Sequence, residues 1–230
     1  MILERKPKIN IFDLKENFGQ LLKKLVNADL SESLIKFAEI MQIYNGAMKE
    51  ISTKLEVLDD EFQISYKHNP VHHIESRIKD LKSIYEKMTR YGITPSLDAA
   101  MKNIHDIAGI RVICNYYSDI YMVEKLLLKQ NDVKLISRKD YIAQPKDNGY
   151  RSLHIVVTVP VFLSNITEEI PVEIQLRTIA MDYWASLEHE LRYKKNSDLQ
   201  KYTDKLLLCA NSLAETEMIM QNIHENLEEE

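Results

Sequence analysis

The sequence predicts an α+β protein: a mixed β-sheet of about five strands covered by helices, with helical segments at both ends. Three observations predict it. Apolar residues recur at helical spacing through the first part of the 230 residues. Residues 70–195 then alternate β-rich runs with short helical patterns. The last stretch, 196–230, returns to helical spacing. The expected division is therefore a helical flank over 1–69, a core over 70–195 and a C-terminal helix over 196–230.

In order, residues 1–10 read as a short, unfixed arm. Asp13-Leu-Lys-Glu16 has capping-box spacing, and Leu14, Phe18, Leu21, Leu22 and Leu25 follow on one helical face. A second helix starts near Asp29 or Ser31, with Leu34, Ala38, Met41, Ile51, Leu55 and Leu58 apolar. Pro70 pushes Asn69 out of helix. Val71 to Lys79 reads as a strand, with Ile74 and Ile78 inward and Arg77 and Lys79 outward. A helix over Asp80 to Arg90 buries Leu81, Ile84, Tyr85 and Met88 and stops at Gly92. Ser96 opens a further short helix.

The run IHDIAGIRVI, residues 104–113, is a strand that Asp106 enters and Arg111 interrupts. Ser118 is the expected cap of the next helix, which carries Leu126, Leu127 and Leu128. Val133 to Arg138 is a strand, and Lys139 to Gly149 a loop. Tyr150 to Val159 is a long β run that Pro160 limits. Ser164-Asn165 marks a turn, leading into the strand PVEIQLRT over 171–178. Helices over Ile179–Lys194 and about Asp198–Leu227 close the chain.

Composition narrows the function. Hydrophobic residues at 45% and charged residues at 28% suit an ordinary soluble domain. No apolar run nears the ~18 residues of a membrane span, and the N-terminus lacks a signal-peptide core. Cys114 and Cys209 make no disulfide framework, which points to reduced thiols and a cytoplasmic protein. Of the net charge of −5, six carboxylates lie in Glu215 to Glu230 alone, so the rest is near neutral. Within that rest, Arg77 to Arg90 holds five basic against two acidic residues, and Arg138 to Arg151 four against two. Local basic segments beside isolated carboxylates suit a metal-bound polyphosphate better than a long duplex.

Three constellations carry chemistry. A charge inside a buried strand costs free energy unless paired, so Asp106 and Glu173 are read as converging on one magnesium ion. Such an ion takes one or two carboxylates and keeps phosphate oxygens and waters. The alternative is two unrelated acids, one capping and one in an ion pair. The second constellation is Arg77, Lys79, Lys87, Arg90 and Arg111. Guanidinium planes stack on bases and grip phosphates, whereas lysine acts as a compact charge. Its alternative is a solvated helix face, which Arg111 resists. The third is KDYIAQPKDNGYRSLH, residues 139–154. Its loop supplies Lys146 and Asn148, and period two places Tyr150, Ser152 and His154 on one face. His72 and His73, adjacent on a strand, should face oppositely and share no metal.

At these three places the sequence resembles the small alarmone synthetases, the stand-alone GTP pyrophosphokinases of the bacterial stringent response. The matching stretches are HDIAGIRV (105–112), RKDYIAQPKDNGYRSLH (138–154) and VEIQLRTIAMDYWASLEHELRYK (172–194). Neither a hydrolase metal site nor the regulatory C-terminal domains of the long bifunctional enzymes is apparent. The resemblance implies a nucleotidyltransferase-like fold and transfer of pyrophosphate from ATP to the 3′-hydroxyl of GDP or GTP, with AMP released. It implies that Arg77 and Arg111 sandwich adenine, and that Lys79, Lys87 and Arg90 hold the ATP phosphates. Asp106 and Glu173 would bind magnesium, Glu173 also serving as base. Tyr150 would stack on guanine, while Lys139, Lys146, Asn148, His154 and Gln175 line the acceptor side.

The resemblance also implies a homotetramer through the terminal helices. Glu75 would repel a polyphosphate effector, so little activation by the product is expected. Two other functions stay open: an AMP-transferring enzyme of the same fold, and a non-catalytic binder of nucleotides or single-stranded RNA.

Overall fold

The run AGIRVIC becomes β3 (Ala108–Cys114), an inner strand of a six-stranded sheet. The computed structural model describes residues 2–5, 30–194 and 202–229. The other strands are β1 (Ile2–Arg5), β2 (Val71–Ile78), β4 (Lys134–Asp140), β5 (Leu153–Phe162) and β6 (Thr167–Thr178), in spatial order β1-β2-β3-β6-β5-β4. The pairs β1–β2 and β3–β6 are parallel and the others antiparallel. The expected five strands are all present. β1 is a short sixth, pairing Ile2–Arg5 with Ile74–Arg77 where an unfixed arm was expected. It satisfies backbone groups that an open β2 edge would leave unpaired.

Alternation makes the sheet two-faced. Ile74, Ile78, Ile110, Val112, Leu153, Ile155, Val157, Val172, Ile174 and Leu176 are all buried on one face. Helix α1 (Leu30–Ser65) packs across it, contacting β2, β3, β5 and β6. At 36 residues it spans about 54 Å. Its Tyr44, Ile51, Leu55 and Phe62 join the same core as the sheet, so this part of the expected flank is a layer of the core domain. Ala38, assigned to the apolar face, is exposed. The helix expected around Leu14 to Leu25 lies outside the described residues.

The shorter helices are α2 (Leu81–Arg90), α3 (Leu97–Asn103), α4 (Tyr117–Leu128), α5 (Ile179–Lys194) and α6 (Thr203–Glu229). Asp80 caps α2 by accepting the Ser83 N–H at 2.8 Å, and Gly92 ends it at φ 66°. Ser96 caps α3, accepting from the Ala99 N–H. Ser118 is not the cap of α4. Tyr116 stands there, its N–H held by Asp119 at 2.9 Å.

Strand bounds shift: β4 continues through Lys139 to Asp140, where a loop was expected, and β6 begins at Thr167 rather than Pro171. β5 begins at Leu153 and runs through Pro160 to Phe162. β4 begins at Lys134, opposite Thr158, so beyond Thr158 β5 has a partner on one side only and tolerates a missing N–H. A bulge between Val71 and His73 breaks alternation and brings the His72 and His73 Nδ1 atoms to 2.7 Å. Cys114 is buried and Cys209 exposed, both free thiols. No helix among the described residues is long and apolar enough to cross a membrane.

Candidate active site

Register alone assembles the polar face of the sheet. Glu75, Arg111, Gln175, His154 and Lys139 are successive partners across β2, β3, β6, β5 and β4. In the next row Arg77 faces Gly109, which faces Glu173. Gly109 has no side chain, so the floor between Arg77 and Glu173 stays open. A cavity of about 190 Å³ lies there, lined by both Asp106 and Glu173 together with Arg77, Lys79, Arg111 and Gln175. The two acids, distant in sequence, therefore share one cavity because β3 and β6 are parallel neighbours.

Asp106 sits in the turn before β3 rather than on the strand. Its Oδ2 accepts from Lys79 and from Lys87, the latter at 2.7 Å. Burial raises the Asp106 carboxyl, but the hydrogen bonds and charges of the two lysines outweigh burial and hold it below its ordinary range. Its Oδ1 is buried with no partner. Buried acceptors are seldom left unpaired, so this oxygen is a ready ligand position. Glu173 Oε2 accepts from Gln175 Nε2 at 2.8 Å, and Oε1 lies 3.8 Å from His154 Nδ1. Among the described residues no group of three or more His, Cys, Asp or Glu could hold a metal. One open oxygen and one nearby carboxylate fit magnesium, which completes its shell with phosphate and water, and do not fit a metal needing a full protein cage.

Of the five cations expected on the donor side, Arg77, Lys79 and Arg111 line the cavity and Lys87 reaches it through Asp106. Arg90 is exposed at the end of α2, on the Lys87 side. Arg111 Nη1 contacts Glu75 at 3.1 Å and Asp182 at 3.3 Å. Glu75 thus directs its charge at Arg111 inside this cavity.

The residues expected on the acceptor side cluster, though not along one strand as expected. Tyr150 and Ser152 precede β5. Ser152 is buried and bonds Leu176 O and Arg177 Nε. Tyr150 Oη accepts from Arg177 Nη2 at 2.7 Å and lies 2.7 Å from His154 Nε2. With Arg177 donating to Tyr150 Oη, Tyr150 donates its own proton to His154 Nε2, which leaves His154 neutral with its proton on Nδ1, facing Glu173 Oε1 at 3.8 Å. Burial, then the charges of Arg177, Lys146 and Lys139, push His154 down to about 3. Lys146 Nζ sits 4.7 Å from the Tyr150 ring centroid and 4.5 Å from that of Tyr141, in cation–π contact with both. Asn148 Oδ1 accepts the Tyr150 N–H at 3.2 Å, and its amide reaches Glu188 at 3.5 Å. Lys139 is exposed on β4 opposite His154.

Sequence reasoning assigned no role to Tyr141, Arg177 or Asp182. Arg177 lies two residues beyond Gln175 on β6, on the face that also carries Glu173. Buried, it bonds Tyr150, Gln175, Ser152 and Asp182. Asp182, in the first turn of α5, carried no comparable signal.

A profile of the region found in RelA and SpoT proteins matches residues 76–198. The Bacillus subtilis GTP pyrophosphokinase YwaC is 42% identical over 77% of this chain and 85% of its own. The GTP pyrophosphokinase YjbM of the same organism is 33% identical over 74% and 80%. The crystal structure of small alarmone synthetase 2 from B. subtilis superposes with a TM-score of 0.73 at 40% identity, covering 80% of this chain and 97% of that one. That of small alarmone synthetase 1, bound to its product pppGpp, gives 0.77 at 30% identity over 83% and 97%.

Proposed function

This chain belongs to the RelA/SpoT family, and from that membership we infer that it is a GTP pyrophosphokinase. It transfers the β,γ-pyrophosphoryl group of ATP to the 3′-hydroxyl of GDP or GTP. A bond forms between that oxygen and the β-phosphorus, the bond to the α-phosphate breaks, and AMP leaves. The observation that carries the site assignment is the shared cavity of Asp106 and Glu173, with cations on one flank and an aromatic wall on the other.

Phosphoryl transfer depends on positioning and charge stabilisation. Arg77 and Arg111 would hold adenine between their guanidinium planes. Lys79 and Lys87, with Arg90, would take the ATP phosphates, leaving Asp106 for the metal. Magnesium, held by Asp106 and Glu173, would neutralise charge on the transferred group and lower the hydroxyl pKa. Glu173 would accept the 3′-hydroxyl proton. Gln175 orients Glu173 through the bond already formed. Tyr150 would stack on guanine, with Lys139, Lys146, Asn148 and His154 around the acceptor. A homotetramer in the cytoplasm completes the proposal. The exposed apolar residues of α5 and α6 support the assembly.

The test is product chromatography with labelled ATP and each guanosine nucleotide. AMP and a 3′-pyrophosphorylated nucleotide are expected, with turnover abolished by chelation. Free pyrophosphate instead would assign the AMP-transferring reaction, and no turnover would leave a binder of nucleotides or RNA.

A further inference from the structure

We propose that Asp182 is a positioning residue that locks the donor arginine and the acceptor wall into one unit, so that binding of one substrate prepares the site for the other. The proposal rests on the reading of Arg111 as a donor residue and Tyr150 as an acceptor residue. One oxygen, Asp182 Oδ1, lies 3.3 Å from Arg111 Nη1 and 3.1 Å from Arg177 Nη1. Arg177 continues the connection, donating to Tyr150 Oη at 2.7 Å and to Gln175 Oε1 at 2.9 Å. Gln175 in turn donates to Glu173 at 2.8 Å. A continuous polar chain therefore runs from the adenine-side guanidinium to both the guanine-stacking ring and the candidate base, and Asp182 is its junction.

The junction has a physical reason to exist. Arg111 and Arg177 stand close enough to repel. Burial, then Arg177, lowers the Arg111 pKa, while Asp182 and Glu75 oppose that shift. Glu75 contacts Arg111, whereas Asp182 contacts both arginines. Its place in the first turn of α5 adds the favourable end of the helix dipole to the carboxylate. Arg111 Nε is buried without a partner, so the guanidinium is held from the Nη1 side with its other edge unspent. Adenine stacked on the Arg111 plane would fix that guanidinium against Asp182 and, through Asp182, hold Arg177 and Tyr150. Allosteric coupling requires this kind of differential contact between two sites.

The test compares wild type with Asp182→Asn, which keeps the shape and removes the charge. The wild type must first form AMP and the 3′-pyrophosphorylated nucleotide; without that product the underlying reading fails before Asp182 is addressed. Given the product, Asp182→Asn is expected to raise KM for ATP and for GTP by about fivefold or more each, with a smaller change in kcat. GDP is also expected to tighten binding of a non-hydrolysable ATP analogue in the wild type and no longer to do so in the variant. A purely structural role would lower the melting temperature without removing that coupling. If coupling persists, or only one KM moves, the proposal is overturned. If Asp182→Asn melts more than about 5 °C low, Arg177→Gln decides. Arg177 does not line the donor cavity, so an increased KM for ATP supports the bridge and an unchanged one overturns it.

Discussion

At Asp106 one carboxylate oxygen is held by two lysines and the other by nothing. Asp106→Asn would keep the size but lose the ligand charge and leave Lys79 and Lys87 without their shared counter-ion. Glu173→Gln would lose the proposed base but keep a partner for Gln175. Each is expected to lower AMP release by about a hundredfold or more, with Glu173→Gln melting like the wild type by circular dichroism. His154 gives a pH prediction of definite sign. Folded, it is held down to about 3; unfolded, it takes its ordinary value of 6.5. The unfolded chain therefore binds the extra proton between those values, and stability present above 6.5 is lost as pH falls. The urea midpoint should drop further from about pH 7.5 to about pH 5 in the wild type than in His154→Gln. At this scale much of the site was legible, because Glu173 and Gln175 alternate along one strand and Arg111 breaks an apolar run. Asp182 and Tyr141 were not. Asp182 meets Arg111 only through tertiary packing, and Tyr141 meets Lys146 only through the fold of the loop.

Elements set how firmly these residues are held. The loop bearing Lys146, Asn148 and Tyr150 is pinned to α6 at Gly149. There φ is 88°, and an added Cβ would lie 2.5 Å from Ala210 Cβ. Arg151 Nη1 bonds Ala210 O at 2.9 Å beside it, and Trp184 and Leu213 fill the same cluster. Gly149→Ala must accept both a left-handed backbone and a clash. It is expected to cost about 1–3 kcal/mol and to raise KM for GTP more than for ATP, read from denaturation curves and initial rates. Helix starts at Asp80 and Ser96 were legible because their side chains cap locally. Ser118 misled because Tyr116 fills the Ncap position while Asp119 satisfies its N–H. Pro160 misled because the strand it sits in has lost one neighbour at that point, a fact of sheet order that no local pattern carries. The histidine pair misled for a similar reason: period two fails where β2 bulges.

For the whole molecule, helix α6 has two opposite duties. Its inner side, through Leu207 and Ala210, seats the acceptor loop. Its outer side exposes Leu208, Ile219, Ile223 and Leu227, the last three spaced by four. Tyr183, Leu187 and Leu191 on α5 are exposed as well. Exposed apolar side chains repeated along two helices are what an association surface presents, and the proposed tetramer would cover them. Replacing Ile219 and Ile223 by Asp should therefore reduce the mass found by sedimentation below that of four chains. The same helix holds Gly149 and Arg151, so the effect should not stop at assembly. Dissociation would remove support from the acceptor loop while leaving β2, α2 and the donor cations untouched. The expected kinetic signature is a larger rise in KM for GTP than for ATP. A dissociated variant with both constants unchanged would separate assembly from catalysis, and a wild type that sediments as a single chain would remove the tetramer altogether.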